Sequence, residues 1–195
     1  MDWMESFINE QLQESAELKR TMAESMIGSI KEAAEAVIHA LRSGGKVLLC
    51  GNGGSAADSQ HIAAEFVGRF RFDRKAMPAI ALTTDTSILT AVGNDYGYDE
   101  VFRRQVEALG HKGDVFIGIS TSGRSPNVLR AMEEAKKQGM VTIALIGGKK
   151  SPMSEISDIT VQIPSEDSPR IQEGHMTFGH ILCDLVEKSI SQQSE

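Results

Sequence analysis

A few polar side chains on two helical stretches have the spacing and chemistry to share a metal ion or a proton. His61 and Glu65 stand four residues apart, so they lie on one helix face and can converge on one ligand or metal. Gln172 and His180 are eight apart, about 80° around an ideal helix, and can flank one pocket. Glu173 and His175 lie between them, and Asp58 precedes His61 on the first stretch. His180 has Phe178, Ile181 and Leu182 as neighbours, a setting that fits either a satisfied core or interface histidine or a ligand. A carboxylate with two imidazoles suits proton transfer next to a carbonyl. The carboxylate removes the α proton while a second group protonates the oxygen.

Two loops of small residues supply what a substrate of that reaction would need. The segment from Ser120 through Thr121, Ser122, Gly123, Arg124 and Ser125 to Pro126 has four hydroxyls around one glycine, with the proline at or near a first helical turn. Backbone N–H groups at a helix start attract an anion, and hydroxyls add neutral donors, so phosphate can bind there without a lysine. Helix capping alone would use one hydroxyl and leave three unexplained. The other loop, Gly51 to Ala56, offers Asn52 and Ser55 to a sugar-sized ligand. It also matches a dinucleotide fingerprint through Gly51, Gly53 and Ala56. That fingerprint wants a ribose-binding acid about 20 positions on, and the nearest candidate, Asp85, lies too far along.

These residues need a scaffold that gathers strand ends and helix starts. Apolar runs at 46–50, 79–82, 114–120, 141–146 and 159–163 predict five strands. Helices are predicted over 56–67, 86–92 and 99–109, from the hydroxyl loop to about 138, and over about 169–189. Continuous apolar strands separated by helices predict an α/β fold. The form expected is a three-layer α-β-α sandwich, flavodoxin- or Rossmann-like, around a five-stranded parallel sheet. Ligands bind such sheets at the carboxyl ends of the strands, where both loops fall. Over the first forty or so residues, Trp3, Phe7, Ile8, Leu12, Leu18, Met22, Met26 and Ile30 keep helical spacing. Residues 1–43 are therefore expected to form an N-terminal helical arm, serving oligomerisation or lying on its own domain. Residues 44–195 form the α/β domain and end in a polar tail at 191–195.

Composition excludes more than it selects. The 195 residues are 41% hydrophobic and 24% charged, with 20 Lys and Arg against 27 Asp and Glu, a net charge of −7. That balance argues against a basic nucleic-acid binder and leaves room for a small anionic ligand in a local pocket. Aromatic residues are few (7 Phe, 2 Tyr, 1 Trp) and glycines number 18, as tight ligand-approachable turns require. Cys50 and Cys183 sit in apolar runs as reduced thiols, and the absence of a Cys-x-x-Cys pair speaks against a thiol redox site. The acidic start MDWMESF has no signal-peptide core, and no apolar run approaches the ~20 residues that span a bilayer. A cytoplasmic protein without membrane contact is expected.

The segments GGKVLLCGNGGSAADSQHIAAEFVGRF, AVGNDYGYDEVFRRQV, GDVFIGISTSGRSPNV and RIQEGHMTFGHILCDLVE resemble the phosphoheptose isomerases of the sugar-isomerase (SIS) fold. The similarity covers nearly the whole chain; the STSG loop alone marks the broader fold, and the combined motifs mark the family. The resemblance implies conversion of sedoheptulose 7-phosphate to D-glycero-D-manno-heptose 7-phosphate through a cis-enediol. That is the first step of ADP- or GDP-heptose formation for lipopolysaccharide or related glycans. It implies a homotetramer with active sites between subunits. It further implies one zinc ion per subunit, held by His61, Glu65, Gln172 and His180. Implied substrate contacts are Asn52, Gly53, Gly54, Glu65, Asn94, Asp95, Ser120, Thr121, Ser122, Ser125 and Gln172, with Ser55 as a further contact. Glu65 would be the base and His180 the acid. A histidine nitrogen bound to zinc cannot act as the acid, and ligation lowers the basicity of Glu65, so ligation must rearrange during turnover or the metal must hold and polarise the substrate. A binding module of the same fold, such as the initiator-associating proteins, needs no acid–base pair. The joint presence of His61, Glu65, Gln172 and His180 favours the enzyme. Gly174 costs about 1 kcal/mol in a helix relative to alanine; the gain expected there is close approach by a neighbouring subunit.

Overall fold

The computed structural model describes residues 2–191, so the expected polar tail lies outside the described residues except for Ser191. Among these residues five strands pair in parallel: β1 (Val47–Gly51), β2 (Ala79–Ala81), β3 (Val115–Ser120), β4 (Val141–Ile146) and β5 (Ile159–Gln162). Their order is β2-β1-β3-β4-β5, which puts the topological switch point between β1 and β3. The expected three-layer α/β architecture is present.

The strands read as unbroken apolar runs because both faces are buried, yet a period of two is still at work. Val47, Leu49, Val115, Ile117, Ile119, Ile143, Leu145, Ile159 and Val161 face one layer. Leu48, Cys50, Phe116, Ala144 and Ile146 face the other. The first layer holds α2 (Ile27–Arg42), α3 (Gly54–Val67), α8 (Ser168–Ser191) and the second half of α1 (Trp3–Ser25). The second layer holds α5 (Arg103–Leu109), α6 (Pro126–Lys137) and the short α7 (Pro152–Ile156), with α4 (Thr86–Tyr96) at its margin. Cys50 and Cys183 are buried and unpaired, and burial pushes both thiols up, Cys183 to about 12. No described helix is long and apolar enough to cross a membrane.

Several boundaries differ from expectation for local reasons. The first helical region divides at Met26, where φ is −110° and ψ is −1°. Met22, Met26 and Ile30 are all buried in the sheet core, so the bend keeps the apolar stripe on the sheet. The helix expected over 99–109 is a 3-10 turn at Tyr98–Glu100 followed by α5. α4 runs four residues beyond its expected end, to Tyr96, and stops where Gly97 adopts a φ of +91°. The unexpected α7 is announced by Ser151, whose hydroxyl accepts from Ser154 N, with Pro152 at the first helical position. Gly174 does serve a close approach, but within the chain: a Cβ there would stand 2.5 Å from Ile163 Cγ2.

The tightest polar packing holds α3 to α8. Glu187 of α8 is fully buried and accepts from three successive backbone N–H groups, Phe70 (2.8 Å), Arg71 (2.6 Å) and Phe72 (3.1 Å). It also accepts from Arg74 Nε at 3.0 Å. Arg74 in turn donates to the carbonyls of Phe66 (2.9 Å) and Glu65 (2.9 Å) at the end of α3. Burial alone would raise the Glu187 carboxyl, but the three N–H donors and Arg74 outweigh it and hold its pKa below the usual carboxylate value. A depressed folded-state pKa contributes stability that is complete above the unfolded value of about 4.3 and is lost as pH falls through the folded value. Glu187→Gln is therefore expected to lower stability by about 3 kcal/mol at pH 7, through the buried Arg74 left unpaired. Denaturant unfolding should show this gap closing below about pH 4; an equal gap at pH 7 and pH 3 would contradict the assignment.

Candidate active site

The carboxyl ends of β1 and β3 carry the two loops read from the sequence, and side chains lace them together. Asn52, after β1, donates through Nδ2 to Asn127 Oδ1 at 2.9 Å, and Asn127 Nδ2 donates back to Asn52 Oδ1 at 2.9 Å. This reciprocal amide pair spans the switch point. The Tyr98 hydroxyl lies 3.4 Å from Asn52 Oδ1, which brings in the end of α4. There the Asn94 side chain donates to Asp95 Oδ1 at 2.8 Å.

The hydroxyls after β3 bond to one another and to the loop. Ser120 Oγ lies 3.0 Å from Ser125 Oγ and 3.5 Å from Ser122 Oγ. Gly123 N donates to Ser120 Oγ at 3.2 Å, and Arg124 N to Ser122 Oγ at 3.3 Å. Ser125 is the N-cap residue of α6, yet its side chain makes no capping bond. Capping by Ser125 therefore does not account for these hydroxyls; Pro126 has no N–H and Val128 N is bonded to Ser125 O and Asn127 Oδ1, so Asn127 N is the first-turn donor left open to an anion. Gly123 has a φ of +62°, and a Cβ there would stand 2.6 Å from Ser151 Cβ, so only glycine lets the loop close against α7.

A second constellation lies on the α3–α8 seam. His61 Nε2 is 3.2 Å from Glu65 Oε1 and 3.2 Å from His180 Nε2. The ligand atoms of His61, Glu65 and His180 all lie within 4.8 Å of one another. An imidazole N–H can bridge these separations as a hydrogen bond, and the same three atoms can also converge on a cation. Ligands about 2.0–2.1 Å from a tetrahedral zinc ion are about 3.3 Å apart, so the donor types and the 3.2 Å separations both fit that metal. The Phe70 ring lies 5.7 Å from the His180 ring and walls the constellation.

The remaining sequence candidates are placed as follows. Gln172 sits in the first turns of α8, its Nε2 2.5 Å from where a Cβ on Gly54 would stand. Helix side chains lean toward the N-terminus, and about 12 Å of rise separates Gln172 from His180. The chain thus gathers His61, Glu65 and His180, and holds Gln172 at the loop end of α8. Gly53 is the N-cap residue of α3, and Ser55 is buried in its first turn. Asp58 has one carboxylate oxygen buried without a partner. Burial pushes its pKa up to about 6 against the opposing pull of His61. His175 is fully buried away from the seam, and burial pushes it down to about 4, so it stays neutral. Asp85, the doubtful ribose acid, caps α4 by accepting from Ile88 N at 2.9 Å. Asn127, Tyr98, Phe70, Arg74 and Glu187 escape sequence reasoning. Their roles depend on contacts 46 to 117 residues away in the chain, which no local pattern signals.

Residues 11–147 match the model of the SIS domain family. The chain is 57% identical over 180 residues to the phosphoheptose isomerase of Burkholderia pseudomallei (strain 1710b), covering 90% of this chain and 91% of that one. The structure of a phosphoheptose isomerase from Francisella tularensis superposes with a TM-score of 0.92 at 39% identity, over 96% of this chain and 100% of that chain. The phosphoheptose isomerase of Neisseria gonorrhoeae gives 0.90 at 41% identity, over 95% and 99%. A site with a hydroxyl loop at the switch point and a His–Glu–His seam, on a chain this similar throughout, belongs to the phosphoheptose isomerase family of SIS-domain proteins.

Proposed function

We propose that this chain isomerises sedoheptulose 7-phosphate to D-glycero-D-manno-heptose 7-phosphate, with Glu65 and His180 moving the protons. The observation that carries the reading is the convergence of His61, Glu65 and His180 beside a fold whose hydroxyl loop can hold phosphate. Glu65 takes a proton from the carbon next to the ketone while His180 gives one to the carbonyl oxygen, leaving a cis-enediol. The proton then returns to the neighbouring carbon, and the other oxygen loses its proton to form the aldehyde. Asn52 and Ser120, Thr121, Ser122 and Ser125 bind the sugar and phosphate. Asn94, Asp95 and Gln172 complete the contacts, together with the backbone at Gly53 and Gly54 and the side chain of Ser55. His61, Glu65 and His180 would hold a zinc ion, which when bound polarises substrate oxygens as a Lewis acid.

The complete site is read as lying between copies of the chain in a homotetramer. Two features support this. Gln172, the fourth expected ligand, lies about 12 Å of helix rise from His180. The arm at 1–43 carries an exposed apolar stripe, Trp3, Met4, Phe7, Ile8 and Leu12, which leaves its first turns without a cover in a single chain. A cytoplasmic setting fits such a metabolic step.

Two measurements test the reading. Wild type should turn over sedoheptulose 7-phosphate, and Glu65→Gln should lose about 10²-fold or more in kcat while still binding inorganic phosphate. Wild-type turnover in the variant would remove Glu65 as base. Dialysis against a chelator should abolish turnover and added zinc should restore it. Full activity in metal-free protein would contradict the metal assignment.

A further inference from the structure

The hydroxyl loop forms one wall of a cleft at the ends of β3, β4 and β5. Thr121, Ser122 and Arg124 line that wall, and Lys149, Ser165 and Glu166 line the opposite one. Backbone bonds make the cleft rigid: Gly147 N donates to Thr121 O at 3.1 Å, and Gly148 N to Ser165 O at 2.7 Å. Arg124 hydrogen bonds only through its backbone among the described residues, so its guanidinium has no carboxylate partner there. Glu166, the one acid on the cleft, is already bonded to Lys149 at 2.8 Å. Two cations against one anion leave the lining at +1, in a chain whose net charge is −7.

A phosphate on the hydroxyl loop meets neutral donors only, while the field of the whole chain repels it. Guanidinium is the side chain best shaped to grip phosphate oxygens in pairs. We propose that Arg124, with Lys149 across the cleft, neutralises the terminal phosphate of the substrate and sets the preference for phosphorylated over unphosphorylated sugars. This rests on the sugar-phosphate reading of the loop and adds to it a charged pair that the neutral-donor account lacks. Lys149 is the weaker partner, because it must share its charge with Glu166.

The test compares wild type, Arg124→Ala and Arg124→Lys in steady-state turnover of sedoheptulose 7-phosphate, with inorganic phosphate as inhibitor. Arg124→Ala is expected to raise KM about tenfold or more, with the loss carried in KM rather than kcat. Phosphate inhibition should be competitive and weaken in parallel, and Arg124→Lys should recover part of both. Raised salt should increase KM in wild type more steeply than in Arg124→Ala. Unchanged KM and phosphate inhibition in Arg124→Ala would overturn the proposal. Noncompetitive inhibition of wild type by phosphate would also overturn it, since the anion would then lie apart from the substrate. Calorimetric titration with inorganic phosphate separates the two readings. If wild type fails to turn over the ketose, the functional reading falls. Arg124 is then still judged by whether its removal weakens phosphate binding about tenfold.

Discussion

The buried carboxylate of Glu187 is the constraint on which the catalytic seam depends. Three backbone N–H groups and the Arg74 guanidinium converge on this buried side chain. Such a charge is tolerated only when every lone pair is used, so the loop after α3 has one acceptable conformation. Both groups proposed to move protons, His180 and Glu65, are then tied to it. Phe70, whose N–H is held by Glu187, sets its ring against His180. Arg74, ion-paired to Glu187, holds the carbonyl of Glu65. His180 lies seven residues before Glu187 on the same helix, two turns away and on nearly the same face. The His61–Glu65 separation is one turn of α3, whereas the His61–His180 separation depends on how α8 docks against α3, which this network helps to set.

The phosphate end obeys a different rule. The donors proposed there are hydroxyls and the open N–H of Asn127, carried on loops whose strands are pinned at the switch point by the Asn52–Asn127 amide pair. Neutral donors let an acidic chain hold an anion, but they offer no counter-charge. In the proposal above, Arg124 on the loop and Lys149 across the cleft supply it. In the proposed mechanism the two halves of the site divide the work: the hydroxyl loop orients the phosphate, and Glu65 and His180 move the protons.

Most of the fold was legible because its signals are local. Apolar runs of four to seven residues with glycine and serine between them are what a doubly covered parallel sheet requires. His61 and Glu65 were legible as a pair because four residues make one helical turn. The partnership of His180 with them was not fixed by spacing, since it depends on how α8 crosses α3. Asn127 and Glu187 were silent for the same reason: a buried amide or carboxylate looks like any polar residue until its partners arrive from distant strands. The bend at Met26 was hidden because the apolar stripe continues through it unbroken. The place of Gly174 was misread because a sequence shows that a helix needs room at a glycine, but not whether Ile163 or another chain fills it.

The proposed isomerisation removes a proton from carbon with this chain's own residues. It is tested most directly by incubating wild-type protein with sedoheptulose 7-phosphate in D2O and following the carbons beside the carbonyl by NMR. The account predicts aldose phosphate carrying solvent deuterium at the carbon that receives the returning proton. Aldose formed with the original hydrogen fully retained would point to direct hydride transfer, and would contradict it.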